Sequence, residues 1–217
     1  MTDSGSREII VTESEHDCEA LRDKVLCCGH SMVGPDGIDR INVIWKRARP
    51  GPITTFEWQT KYALANTFTE SRPGVIVSIV SDWQECRLGE SYQINGDGQW
   101  ERAPAGSDMA NCLTIAGNAY KDIHPVVGIC AGSSQHYIPA YVEPYILYVG
   151  SKADYQPGPY SRVWYASDHH KMSQFIQCGD SEPDAATIDT LVPNPRTHQF
   201  VWELTFDPES GKWTNGP

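Results

Sequence analysis

Long apolar runs are missing from this chain. No stretch approaches the roughly twenty residues that cross a bilayer as a helix. Met1 to Arg7 carries neither a basic start nor the apolar stretch that directs secretion. The expectation is a cytoplasmic protein with no membrane partner. Positive charge is scarce too: 17 Lys and Arg stand against 28 Asp and Glu, a formal net charge of −11. The surface as a whole repels phosphate backbones, which excludes nucleic acid as an expected partner. Metal-ligand spacing is absent as well. Cys27-Cys28-Gly29-His30 offers donors, but neighbouring strand residues face opposite ways and no second pair follows at CxxC spacing. The seven cysteines, odd in number and irregularly spaced, read as reduced, buried thiols. With no nucleotide loop and no catalytic triad, no cofactor is expected.

Helical periodicity is nearly absent. Ser14 to Asp23 is the one convincing stretch, with Ser14 placed as a cap. The rest alternates short β-branched and aromatic runs with turn chemistry, which predicts a single all-β domain over 1–217. The densest part lies between Val126 and Cys178. There Val126–Cys130, Tyr145–Val149, Tyr160–Tyr165 and Met172–Ile176 read as strands, broken at Pro157-Gly158-Pro159 and at Ser167–Lys171. Similar blocks begin near Val25, Val75 and Ala186, including Val75–Val80 as a strand and Asn95-Gly96-Asp97-Gly98 as a turn. Four such blocks predict a small β-propeller of four four-stranded blades, or five if Cys112 and Tyr145 start blades. The last block is one strand short, and Glu8–Thr12 is available to complete it. A β-sandwich or closed barrel is the plainer alternative.

Ser161-Arg162-Val163-Trp164-Tyr165 through Gln174-Phe175 resembles the repeat of fungal fucose-binding lectins, which are β-propellers. Arg40–Trp45 through Trp58, and Leu88-Gly89-Glu90 through Gln99-Trp100, look like weaker copies. In that family an Arg, a Glu and a Trp or Tyr bind each sugar. The resemblance therefore implies ligand-binding roles for Asn42 and Trp45 in the first copy, Glu90 and Trp100 in the second, and Arg162, Trp164 and Gln174 in the third. No copy keeps the full set: Asn42 replaces Arg, Thr55 and Gln174 replace Glu, and Ile76 stands at the Arg position of the second.

A propeller also has an axial channel, and the innermost strands would bring His30, Ser81, Ser133 and Asp189 to it as catalytic candidates. Two functions fit these features. One is a single-site small-molecule binder, extended to a cofactor-independent cyclase of the hetero-Diels–Alder type, where positioning and polarisation supply the rate. The other is a divergent carbohydrate-binding lectin. Two shorter patterns carry less. Gly128-Ile129-Cys130-Ala131-Gly132 resembles the nucleophile elbow of glutamine amidotransferases but lacks their βαβ setting. Asp168-His169-His170 resembles the DHH phosphoesterase motif without the further carboxylates and reads as a solvated turn.

Overall fold

The computed structural model describes residues 5–104, 109–132, 136–176 and 184–216. Its organisation rests on two strands of 15 residues each, β5 (Ile53–Thr67) and β12 (Ala153–Ser167). At about 3.3 Å per residue such a strand runs near 50 Å, longer than its neighbours, so each is shared among several partners. β5 pairs with β1 (Ser6–Thr12) along its first half, with β6 (Gln84–Cys86) further on, and with β10 (His124–Ala131) along its other edge. β11 (Tyr137–Val142) extends this sheet beyond β10, and β14 (Val201–Asp207) and β15 (Lys212–Asn215) extend it beyond β1. β12 repeats the arrangement, with β2 (Lys24–Val33) on one edge and β13 (Ala186–Asp189) and β9 (Leu113–Asn118) in succession on the other. β3 (Asp39–Arg40) and β4 (Lys46–Ala48) pair with β2, while β7 (Ser91–Ile94) and β8 (Trp100–Arg102) lie beyond β9.

The all-β expectation holds, as does the short helix α1 (Glu15–Ala20), whose cap Ser14 accepts from the Asp17 amide at 3.1 Å. No helix among the described residues is long and apolar enough to cross a membrane. The division into blades does not describe the pairing. Sequence blocks mix: β2 and β5 of the first block pair with β12 and β10 of the third, and the strands collect into two mixed sheets. The N-terminal strand does join the C-terminal piece, but in parallel, from Glu8 opposite Val201 to Val11 opposite Leu204.

Pro157-Gly158-Pro159, read as a turn, is instead absorbed into β12 as a shift of register against β2. A bulge tolerates prolines because no ladder amide is missed there. Gly158 is required by space: a Cβ there would lie 2.0 Å from Ser31 Oγ and 2.9 Å from the Ser31 carbonyl carbon. Gly158→Ala should therefore cost about 1–3 kcal/mol of stability, read as a lowered denaturation midpoint. Part of the loss should return in a Ser31→Ala background. An unchanged midpoint would show that the approach of the two strands is not tight.

Tyr145–Val149, Val75–Val80 and Met172–Ile176, read as strands, contribute single bridges: Leu147 to Ile123, Ile79 to Thr67, Ile76 to Gln174 and Phe175 to Val43. Each segment buries only part of its apolar set, Val77, Leu147 and Phe175, while Ile76, Val80, Tyr145 and Tyr148 stay exposed. Val77 and Phe175 bury against Ala65, Val126 and Val142 on the outside of the first sheet.

The inner faces of the two sheets meet. One apolar cluster joins Ile9, Phe56 and Leu204 of the first sheet to Leu26, Cys28 and Val163 of the second. A second, further along the long strands, joins Leu64 and Val127 to Met32, Ile115 and Tyr155. Cys27 faces the other way, packed with Trp164 and Ile44, and burial pushes its thiol up to about 12. Among the described residues no three metal-ligating side chains converge.

Candidate functional site

Alternation along β2 turns Leu26, Cys28, His30 and Met32 inward, which places a polar ring between the two apolar clusters. His30 lies 4.6 Å from the Trp45 ring and 4.7 Å from the Trp58 ring. Its Nδ1 is 2.8 Å from Ser161 Oγ, directly across the ladder. Ser161 Oγ is 3.4 Å from Thr190 Oγ1, and the Thr190 carbonyl accepts from Arg7 Nε at 2.8 Å. His30 Nε2 is buried with no hydrogen-bond partner among the described residues. Burial, aided by the positive charges of Lys46 and Arg7, pulls the pKa of this imidazole down to about 3 and keeps it neutral. The cavity beside it measures about 30 Å³, room for about two waters. Neutral imidazole beside a serine hydroxyl is a base–nucleophile pairing, yet Ser161 is fully buried and meets no reactant in this arrangement.

The other catalytic candidates do not join His30. Ser81 stands at a surface cleft, where its Oγ accepts from the Asn66 amide at 3.1 Å and donates to the Asp82 carbonyl at 3.1 Å. Asp189 is exposed at the end of β13, its Oδ1 accepting from the Leu191 amide at 3.0 Å, while Ile188 and Thr190 on either side are buried. Ser133 lies outside the described residues. No common axis gathers the described ones: His30 and Asp189 lie on β2 and β13, on either side of β12 in the second sheet, while Ser81 lies in the connection between β5 and β6 of the first. Cys130 is buried within β10, and burial raises its thiol away from the nucleophilic form.

The lectin-like copies likewise give no set of equivalent pockets. Asn42 is buried and spent on the backbone, donating to the Val142 carbonyl at 2.6 Å and accepting from the Val142 amide at 3.3 Å. Trp45 is core, with 0% exposure. Glu90 accepts from Tyr92 Oη at 2.7 Å and from Arg102 at 2.8 Å, so both carboxylate oxygens have donors. Arg162 and Trp164 share one face of β12 by alternation; only Trp164, 3% exposed, lines a cleft, together with Gln174.

Two surface clefts of ligand size are found among the described residues, besides a smaller one of about 190 Å³ around Asn194–Arg196. The first, about 610 Å³, opens between the connection Ile79–Gln84 and the turn before β8. Trp83 and Trp100, both half-buried, line it with Ser81, Asp82, Gln84 and Gln99. Local chemistry builds both walls. Asn95 Oδ1 accepts from the Asp97 and Gln99 amides at 3.0 Å each, and Gly98 takes φ +83°, so the turn is fixed and presents Gln99 and Trp100. Trp83 lies so close to Gly128 that a Cβ there would come within 2.6 Å of the ring. That glycine lets the indole rest on β10. The second cleft, about 580 Å³, lies between Pro73–Ile76 and the turn after β12.

Sequence reasoning names Trp100 as ligand-binding and Ser81 as an axial catalytic residue, and does not name Trp83, Gln84 or Gln99, which share their cleft. The available signal is a tryptophan set among Ser81, Asp82 and Gln84 in a polar connection, where no core position calls for it. Arg7, Ser161 and Thr190 leave no local signal, since only strand pairing brings them to His30. No protein-family model, no curated protein and no solved structure matches this chain.

Proposed function

We propose that the protein binds carbohydrate, holding a neutral saccharide in the cleft between Trp83 and Trp100. The observation that carries this reading is the pairing of two half-exposed indoles with two side-chain amides, a hydroxyl and a carboxylate in one open cleft. A sugar ring has an apolar face and a rim of hydroxyls. The indoles match the face, and Gln84, Gln99, Ser81 and Asp82 match the rim. Asp82 and the net charge of −11 disfavour sialylated or sulfated glycans. The reading is placed at the open cleft and not at His30, because the cavity there, about 30 Å³, is smaller than a sugar ring or any other organic ligand.

The test is a glycan array at high protein density, followed by titration of the strongest neutral hit. Trp100→Ala should weaken binding about tenfold, or about 1.4 kcal/mol. Gln99→Ala should weaken it by about three- to tenfold, the range of one hydrogen bond. Circular dichroism establishes that both variants are folded. Failure of every neutral glycan to bind, or binding indifferent to both substitutions, would reject this site.

A further inference from the structure

The second cleft has a charge pattern opposite to that of the chain. Its polar lining is His169, His170, Lys171 and Gln174, with no Asp or Glu, in a protein with 28 acidic and 17 basic residues. We propose that this cleft is a binding site for an amphipathic organic anion, a ring-bearing carboxylate whose charge meets Lys171 and His169 while its ring lies along Ile76 and Trp164. The inference is independent of the saccharide site.

The turn after β12 arranges the donors. Ser167 Oγ is 3.3 Å from both His169 Nε2 and His170 Nδ1, and His170 Nδ1 is 3.2 Å from the Ser167 carbonyl. When His170 donates to that carbonyl and the hydroxyl donates to His169 Nε2, the remaining hydrogen of His169 sits on Nδ1. That nitrogen has no partner among the described residues. Gln174 is buried, and its Oε1 accepts from the Lys171 amide at 2.7 Å. Its NH₂ group is thereby turned toward Gly74 on the opposite wall, 3.9 Å from where a Cβ would stand. Lys171 is exposed and forms no salt bridge among the described residues.

Arg47, reaching across from β4, donates to the carbonyls of Asp168 at 3.0 Å and His170 at 2.6 Å. It pins the turn and adds a positive charge behind it. Asp168 belongs to the same turn but does not line the cleft. The opposite wall is apolar, and Ile76 is 46% exposed on it. A volume of about 580 Å³ suits a small organic ligand. An uncovered apolar wall facing donors without a carboxylate selects against cations and against neutral polar solutes alike.

The experiment compares 1-naphthylacetate with 1-naphthylacetamide, the same ring without the charge, by calorimetry on the full chain at pH 7. The acid should bind saturably with a Kd below about 1 mM, and the amide about tenfold more weakly. Lys171→Gln should weaken the acid by about three- to fivefold, in line with an exposed charge contact, and His169→Ala by a similar factor, in line with a lost hydrogen bond; both positions are exposed. Lys61→Gln, at an exposed position outside the cleft, should change nothing. Equal affinity for acid and amide, affinity unmoved by both cleft substitutions, or no saturable binding up to about 5 mM would each overturn the proposal.

Discussion

Between pH 6.5 and 3 the folded protein should lose stability through His30 at about 1.4 kcal/mol per pH unit. The ordinary value for the residue is 6.5, and burial against Trp45 and Trp58 with Lys46 and Arg7 nearby brings it to about 3 in the fold. In that window the unfolded chain takes a proton that the folded chain refuses. Acid therefore favours unfolding, and the contribution is fully present only above the unfolded value. Glu13 and Glu143 act in the opposite sense, since burial raises both carboxyls and their effect favours the fold at lower pH. A comparison of wild type with His30→Gln removes that background, because both chains carry the two glutamates. At pH 7.5 the variant should be the less stable, having lost ring packing. As the pH falls, the gap should close and then invert. Urea denaturation at intervals from pH 7.5 to 4.5 measures it, and curves that stay parallel would mean that His30 is not buried as a neutral base.

Replacing Trp45 with Ala should cost about 3–5 kcal/mol, without altering saccharide affinity per folded molecule. Trp45 has 0% exposure, its ring meets His30 edge-on and lies 6.2 Å from Trp58, and Lys46 Nζ sits 4.5 Å over it. Its Nε1 reaches the Ile129 carbonyl at 3.5 Å, which ties the segment before β4 to β10 of the opposite sheet. Truncation would open a cavity in the inter-sheet core and free a polar atom at once. The measurement pairs thermal denaturation with the glycan titration. A variant of normal stability that had lost glycan binding would restore Trp45 to the ligand role that the lectin resemblance implies.

The two outcomes at Trp45 and Trp100 show why the candidate site is only partly legible. Both tryptophans belong to lectin-like copies, Trp45 ahead of the Glu position at Thr55 and Trp100 beyond the one at Glu90, and nothing in either copy separates a sugar platform from a core residue. The difference comes from what lies opposite: β10 and the His30 ring for Trp45, an open cleft for Trp100. His30 is visible as an unusual polar residue in the apolar run of β2. Its partners Ser161, Thr190 and Arg7 are 131, 160 and 23 residues away along the chain.

What the sequence determined by itself is local. The alternation of strands, the cap at Ser14, the Asn95–Gly98 turn and the acidic surface all follow from short-range chemistry, in which a residue and its near neighbours settle the conformation. The tertiary structure alone decided that Pro157-Gly158-Pro159 bends a long strand instead of ending a short one, that β2 lies against β12, and that β1 runs parallel to β14. The reason is that a 15-residue strand and two short ones carry the same alternation. Only the edge available across the ladder, contributed by residues more than a hundred positions away, determines which of them forms.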